Sequence, residues 1–207
     1  MTRWSEAEKA LIKADPALRP LIKACGPCQL KPQRTEPYAA LLRSIAHQQL
    51  HGKAAETIFG RFLALYDGQV PGPEALLKTS VAKLRACGFS ESKVLALRDV
   101  AAKTVEGIVP TRRQAARMSD EDLIKRITQV RGVGRWTVEM LLMFTLGRAD
   151  VLPVDDFGVR EGFRIHYRKR RQPTPKELAQ YGERWLPWRS VASWYMWRAL
   201  ELSRQHG

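Results

Sequence analysis

Apolar residues recur at every third or fourth position along most of the chain, which is the spacing of amphipathic helices. The pattern is clearest in YAALLRSIAHQQL, KAAETIFGRFLALY, SKVLALRDVAAKTV, DLIKRITQV and WTVEMLLMFTL. Nowhere do β-branched or aromatic residues alternate cleanly with polar ones over the length of a strand. We therefore expect an all-α fold.

Helix starts are marked by capping residues, and helix ends by loops that contain Gly and Pro. Ser119 and Asp122 form a capping pattern before LIKRITQV, and Thr174, Pro175 and Glu177 form another. Breaks are expected at residues 67–74, 86–92, 106–113, 131–134 and 147–154. These short connections predict a compact helical bundle, without internal repeats.

Composition narrows the class of partner. The 207 residues carry 35 Lys and Arg against 21 Asp and Glu, a formal net charge of +14. Such an excess favours a polyanion, with nucleic acid ahead of an anionic membrane surface. No run of 18 apolar residues occurs, and the first residues lack the apolar segment of a signal peptide. We expect a soluble, intracellular protein.

The three cysteines, Cys25, Cys28 and Cys87, are too few for a disulfide framework. The sequence CGPC at 25–28 matches a thioredoxin redox centre, but its flanks predict a helix followed by a Pro-containing loop instead of a strand and a helix. The histidines show no paired spacing that would complete a zinc site. We expect no metal site formed by side chains.

Residues 123–144, LIKRITQVRGVGRWTVEMLLMF, predict two amphipathic helices joined across Gly132-Val133-Gly134. The two glycines permit a tight turn, and the first amides of the following helix attract phosphate. Arg131 and Arg135 flank this turn and would add contacts to a DNA backbone. An ordinary helix-to-helix turn is the alternative, because G-x-G alone is a weak signal.

Two neighbouring acids, Asp155 and Asp156, stand out in the segment VLPVDDFGVR of this basic chain. An Asp before FGVREGF is a good helix N-cap. A carboxylate beside a DNA groove is also suited to stabilise the positive charge that develops at C1′ during glycosidic cleavage. The doublet allows one acid to cap while the other reacts.

The chain resembles the helix-hairpin-helix DNA glycosylases, and within them the 3-methyladenine DNA glycosylase II branch. The resemblance spans about residues 38 to 200, with 22 residues between Gly134 and Asp156. It is carried by SIAHQQLHGKAA at 44–55, GVGRWT at 132–137, the DD-aromatic run at 155–157 and ERWLPWRSVASWYMW at 183–197.

The resemblance implies two helical subdomains. One would comprise residues 38–148, with the helix-hairpin-helix at about 123–144, and the other residues 1–37 together with 149–207. Only 37 residues precede the first strong helix, so we expect the short form without the N-terminal β-domain of the type enzyme.

The resemblance also implies the chemistry. Asp156 corresponds to the catalytic aspartate, with Asp155 beside it in a supporting role. Members that also cut the backbone carry a lysine where this chain has Trp136, so no Schiff base is expected there. No cysteine follows Cys87, so we expect no iron–sulfur cluster and no required cofactor. A cation held by backbone carbonyls of the hairpin is a further expectation.

A flipped alkylated purine needs a flat, electron-rich pocket. Met140 departs from the family, which has an aromatic residue there, and this leaves the lesion range open. Packing between helices is the alternative for the tryptophans, and we expect it for Trp185, Trp188 and Trp194. The expected pocket residues are Trp136, Met140, Phe157 and Trp197.

DNA contacts are expected from two segments and one supporting residue. Gln48, Gln49 and Leu50 correspond to the wedge that fills the gap left by the flipped base, although a simple helix end is the alternative. Arg189 would pair with a carboxylate or with a phosphate. The hairpin residues expected at the DNA are Gly132, Val133, Gly134, Arg135 and Thr137.

Together these features predict a monomeric, monofunctional DNA glycosylase that removes N-methylated purines from double-stranded DNA, in the nucleoid or nucleus. A bifunctional glycosylase/lyase for oxidised bases and a non-catalytic hairpin DNA-binding module are the alternatives. The sequence does not choose among 3-methyladenine, 7-methylguanine, 1-methyladenine, hypoxanthine and ethenoadenine.

Overall fold

The protein is described by a computed structural model that covers residues 3–50 and 52–205. Within these residues every regular element is helical, which confirms the predicted all-α class. His51 of the segment SIAHQQLHGKAA lies outside the described residues. No helix in the described ranges has the length and apolar character needed to cross a membrane.

The α-helices in chain order are α1 (Ser5–Ala14), α2 (Leu18–Cys25), α3 (Pro37–His47), α4 (Gly52–Ala64), α5 (Pro73–Lys78), α6 (Val81–Ala86), α7 (Glu91–Val105), α8 (Arg112–Ala115), α9 (Asp120–Ile127), α10 (Arg135–Leu141), α11 (Phe157–His166), α12 (Pro175–Gly182) and α13 (Arg189–Gln205). A π-helical turn covers Leu142–Leu146, and a 3₁₀ turn covers Glu183–Trp185.

The chain divides into two compact units. The hairpin unit is Gln33–Leu141, and the terminal unit combines Met1–Pro32 with Leu142–Gly207. Both boundaries fall a few residues before the predicted positions at 38 and 149. Arg112 explains the first, because its backbone N–H donates to Glu36 Oε2 over 2.8 Å and its Nη1 to Gln33 O over 3.2 Å.

The second boundary falls where the helix predicted for WTVEMLLMFTL changes its geometry. The segment WTVEMLLMFTL does not form one continuous α-helix, because α10 ends at Leu141 and a π-helical turn follows. A π turn adds a residue to the helical repeat and rotates the side chains that follow. Phe144 then packs against the core of the terminal unit.

In the hairpin unit, α7 packs against α3 and α5. Leu41, Ile45, Leu97 and Val100 are fully buried in its core. Capping fixes where several of these helices begin, and the predicted cap is present: Ser119 Oγ accepts from Asp122 N over 3.1 Å at the start of α9. The hairpin helices therefore rest on an apolar scaffold.

In the terminal unit, α11 packs directly along α13. Their backbones approach so closely at Gly162 that an added Cβ would lie 1.8 Å from Met196 O. The predicted capping box at Thr174 and Glu177 opens α12. This close helix pair carries the site described next.

A buried carboxylate fastens the N-terminal residues to the rest of the terminal unit. Asp15 Oδ2, at the end of α1, accepts hydrogen bonds from Tyr167 Oη over 2.6 Å, Tyr181 Oη over 3.1 Å and Trp185 Nε1 over 3.0 Å. Because each donor would otherwise be desolvated without a partner, the cluster stabilises the unit.

The CGPC segment lies at the end of α2, as a helix running into a loop, and its thiols are unpaired. Burial raises the pKa of Cys28 to about 12 and also raises the pKa of Cys25. Since the thiolate is the reactive form, this chemistry disfavours a redox centre at neutral pH.

Candidate active site

The loop that leads to the paired acids is fastened to the start of α13. Arg189 donates to the Asp150 carboxylate from Nε over 2.7 Å and from Nη2 over 2.9 Å. Of its two predicted partners, a carboxylate and a phosphate, the structure therefore shows the carboxylate. Ser190 Oγ accepts from Val151 N over 3.0 Å and donates to Arg148 O over 2.8 Å. These bonds hold the backbone just before Asp155 and Asp156.

Asp156 is the N-cap of α11. Its Oδ1 accepts from Val159 N over 2.7 Å and from Trp197 Nε1 over 2.9 Å, and the residue is only 8% exposed. Asp155 is exposed. Of the two acids, Asp156 is therefore the one that caps the helix.

The indole of Trp197 lies between the Asp156 carboxylate and a second ring. The rings of Phe144 and Trp197 are 5.7 Å apart with an interplanar angle of 30°. Gly158, in the first turn of α11, lies against the same indole. Sequence reasoning missed Phe144 and Gly158, although a glycine inside a helix is itself a signal of close approach.

Phe157 is the first residue of α11 and is 63% exposed. In the hairpin unit, Trp136 is 45% exposed and Met140, one turn further along α10, is half-buried. Positions four apart share a helix face, so Trp136 and Met140 offer one surface. The rings of Trp136 and Phe157 are thus exposed, unlike the aromatic side chains of the core.

The other tryptophans with a specific expectation pack as predicted. Trp185 is fully buried, Trp194 is buried, and Trp188 packs against the same core cluster of the terminal unit. Burial therefore leaves Trp185 and Trp194 little surface with which to form a pocket wall, whereas Trp188 is partly buried.

The predicted hairpin is present as α9, a turn and α10. Gly132 has φ of 75°, in the left-handed region that favours glycine, and its neighbour Arg131 donates its backbone N–H to Asp99 Oδ2 over 2.7 Å. Val133 and Thr137 are buried. Any contact of these two residues with a ligand would therefore be made by their backbone.

Arg135 is engaged by two carboxylates. Its Nε donates to Glu139 Oε1 over 3.1 Å, and its terminal nitrogens pair with Glu121. These pairs raise the pKa of Arg135, with the Glu121 hydrogen bond as the largest cause. The guanidinium therefore links α9 to α10. Because two carboxylates compensate its charge, it should attract a phosphate less strongly than the sequence suggested.

The predicted wedge segment forms the turn between α3 and α4. Gln49 has φ of 56°, and Leu50 is 39% exposed. Gln48 Nε2 donates to Gly132 O over 3.0 Å, which joins this turn to the hairpin. Lys93 Nζ donates to Ala46 O over 2.8 Å at the end of α3, and burial lowers the pKa of Lys93. Neither contact could be predicted from the sequence.

The described residues contain no group of three or more His, Cys, Asp or Glu that could hold a metal ion. The expected cation would be bound by backbone carbonyls of the hairpin, not by side chains. Those of Val130 and Gly132 each accept one hydrogen bond within the protein, from Val133 N and Gln48 Nε2, and a carbonyl oxygen has two lone pairs.

Comparison with known proteins places this geometry in context. DNA-3-methyladenine glycosylase 1 of Schizosaccharomyces pombe is 41% identical over 208 residues, covering 98% of this chain and 90% of the relative. The structure of the S. pombe 3-methyladenine DNA glycosylase in complex with abasic DNA has a TM-score of 0.82 at 42% identity, covering 94% of this chain and 96% of that one.

A DNA-3-methyladenine glycosidase from Bacillus halodurans is also similar in structure, with a TM-score of 0.88 at 34% identity over 97% of this chain and 92% of that chain. The family model described as "HhH-GPD superfamily base excision DNA repair protein" matches residues 42–187. The chain therefore belongs to the HhH-GPD superfamily of base excision DNA repair proteins.

Proposed function

We propose that this protein is a monofunctional DNA glycosylase, which hydrolyses the N-glycosidic bond of alkylated purines in double-stranded DNA and leaves an abasic site. The observation that carries the proposal is the buried Asp156 carboxylate, held by two donors at the start of α11. The relatives named as 3-methyladenine glycosylases support the substrate class.

Asp156 acts on the sugar. As the bond between C1′ and the base nitrogen breaks, the electron pair leaves with the base and C1′ becomes cationic. A carboxylate in a site shielded from water stabilises this charge more than it would in bulk solvent. Water then adds to C1′, and the carboxylate accepts its proton.

An N-alkylated purine carries a positive charge that is neutralised when it leaves, so no strong general acid is needed. Exposed Trp136 in the hairpin unit and exposed Phe157 in the terminal unit each have a ring suited to stack on such a base, and a cation–π contact contributes about 0.5 to 2 kcal/mol. Met140, on the same face as Trp136, adds a polarisable surface that tunes the lesion range.

The position that carries a lysine in bifunctional relatives is Trp136, which has no amine to form a Schiff base with the sugar. Because no amine is present at this position, we expect the protein to hydrolyse the glycosidic bond without cutting the DNA strand. Borohydride trapping on a lesion-bearing duplex checks it, because a covalent adduct would establish the bifunctional alternative.

The hairpin turn and the Gln48–Leu50 turn form the DNA contact of the hairpin unit. The turn backbone at Gly132 and Gly134 meets phosphates, and exposed Leu50 enters the stack as the wedge. A cation on the hairpin carbonyls would add positive charge there, while the hydrolysis itself needs no cofactor. We expect the protein to act as a monomer on chromosomal DNA, in the nucleoid or nucleus.

The decisive experiment replaces Asp156 with Asn, which keeps an oxygen for both donors but removes the charge. Asp156→Asn should lower single-turnover release of 3-methyladenine from methylated duplex DNA by about 100- to 1,000-fold, with DNA binding retained. Asp155→Asn, at the exposed neighbour, is the matched control and should stay near wild type. Full activity of Asp156→Asn would refute the mechanism.

A further inference from the structure

We propose that Gly158 is a positioning residue for the reaction. The absence of a side chain at this position lets the indole of Trp197 lie against the start of α11, where it orients the Asp156 carboxylate. The inference rests on the catalytic role proposed above for Asp156, and it adds a residue that acts through Trp197 and not through a side chain of its own.

The space at Gly158 is already filled by the two partners of the hydrogen bond. A Cβ at this position would lie 2.8 Å from Trp197 Cδ1, 3.0 Å from Trp197 Nε1 and 3.1 Å from Asp156 Oδ1. Protein Cβ atoms essentially never approach another heavy atom within 3.0 Å. Any side chain at 158 would therefore displace the indole and crowd the carboxylate at once.

Backbone conformation does not account for this glycine. Gly158 is absent from the residues with positive φ, and it lies in the first turn of a regular α-helix. Glycine in a helix is less favourable than alanine by about 0.5 to 1 kcal/mol. The residue therefore has a local disadvantage that only the close approach of Trp197 offsets.

Helix capping does not account for it either. Ser90, Ser119 and Thr174 each cap a helix through the same side-chain hydrogen bond that Asp156 makes. The residues two positions after these caps are Ser92, Glu121 and Lys176. A cap in this protein thus needs no glycine two residues later, and the need at 158 is specific to the indole.

The indole has little room to give way. Phe144 lies against it, with ring centres 5.7 Å apart. The preceding residue, Met196, has its carbonyl against Gly162, where even a Cβ would not fit, so α13 is held against α11. Because its neighbours are tightly packed, the indole cannot move aside, and a methyl group at 158 would distort its hydrogen bond with Asp156.

Two donors converge on the same carboxylate oxygen, Val159 N from the helix and Trp197 Nε1 from α13. One donor would leave the carboxylate plane free to swing, whereas two donors from different elements fix it. A charge held in a fixed orientation stabilises the transition state without reorganising during the reaction. Loss of the indole donor should therefore lower kcat more than it raises KM.

The test is a double-mutant cycle on single-turnover release of 3-methyladenine. Gly158→Ala should lower the rate about 10- to 100-fold with KM little changed, as expected for a displaced reactive group. Trp197→Leu removes the indole and leaves only the direct contact of the new methyl group with Asp156 Oδ1, so Gly158→Ala should lower the rate several-fold less in that background than in the wild type. Additive losses would overturn the proposal, because the methyl group would then act independently of the indole.

Gly60→Ala is the matched control, because Gly60 is also helical and nothing lies within 4 Å of its added Cβ. It should leave the rate unchanged. Thermal melting and the indole N–H signals in a ¹⁵N-correlation spectrum separate folding from positioning. Gly158→Ala should move the Trp197 indole signal, and Gly60→Ala should not; an unmoved signal contradicts the proposal.

Trp197→Phe keeps the proposal testable if Gly158→Ala folds poorly. It retains a ring against Phe144 but removes the N–H donor, and it should lower kcat without a matching rise in KM. A wild-type kcat in this variant would overturn the positioning role. An inactive Asp156→Asn together with additive losses would leave the proposed function standing and reject only this inference.

Discussion

Asp156 combines an observed structural function with the proposed chemical one in a single side chain. Its Oδ1 caps α11 and also accepts from Trp197 Nε1, so the carboxylate that would face the sugar is part of the helix start. The sequence indicated this residue through its motif. It could not indicate the Trp197 contact, because 41 positions separate the two residues and only the pairing of α11 with α13 joins them.

Because the two functions depend on different properties, substitutions should separate them. Asp156→Ala should destabilise the protein by the lost cap, about 1 kcal/mol. It should lose a further 1 to 3 kcal/mol, roughly, for the Trp197 donor left without an acceptor. Asp156→Asn keeps an acceptor and should be destabilised less. Urea unfolding measures both.

Asp155→Ala is the control for that comparison, since its exposed side chain predicts a change within about 0.5 kcal/mol. An Asp156→Ala variant as stable as the wild type would show that the cap and the indole contact contribute nothing to folding.

Among the helices, the pairing of α11 with α13 depends on Gly162. An added methyl group would lie 1.8 Å from Met196 O, a backbone atom that cannot rotate away. Gly162→Ala should therefore destabilise the protein by at least 1 to 3 kcal/mol, roughly the cost of overpacking a core. Thermal or urea unfolding checks this.

Gly60→Ala in α4 makes the same chemical change in open space. It should stabilise the protein by about 0.4 to 1 kcal/mol, because the unfolded chain loses freedom. Equal effects of the two substitutions would contradict the close contact between α11 and α13.

Local patterns predicted the longer helices and their starts, since apolar spacing and capping residues act over a few positions. The π-helical turn at Leu142–Leu146 escaped prediction, because its sequence continues the helical period of α10. At this turn the side chains begin to pack into the core of the terminal unit. Packing between distant segments of the chain cannot be predicted from a local sequence pattern.

For the molecule as a whole, stability should fall on mild acidification. Burial lowers the pKa of His47 in the hairpin unit and of His166 in the terminal unit, from an ordinary value of 6.5. A lowered pKa means that the folded state favours neutral imidazole. The stabilisation is complete above pH 6.5 and is lost as the pH falls below that value.

The melting temperature should therefore decrease between about pH 7.5 and pH 5.5, the range in which unperturbed side chains other than histidine hardly titrate. The pair of substitutions His47→Gln and His166→Gln should flatten this dependence. A melting temperature that rises on acidification would contradict the sign.

The hydrogen bond from Gln48 to Gly132 O has a consequence for engineering the lesion range. It joins the proposed wedge segment to the hairpin turn that is proposed to bind the DNA backbone, although 84 positions separate the two residues. Replacing the Gln48–Leu50 turn with a foreign loop would therefore also remove a contact that holds the hairpin turn, unless the new loop supplies its own amide donor to Gly132 O.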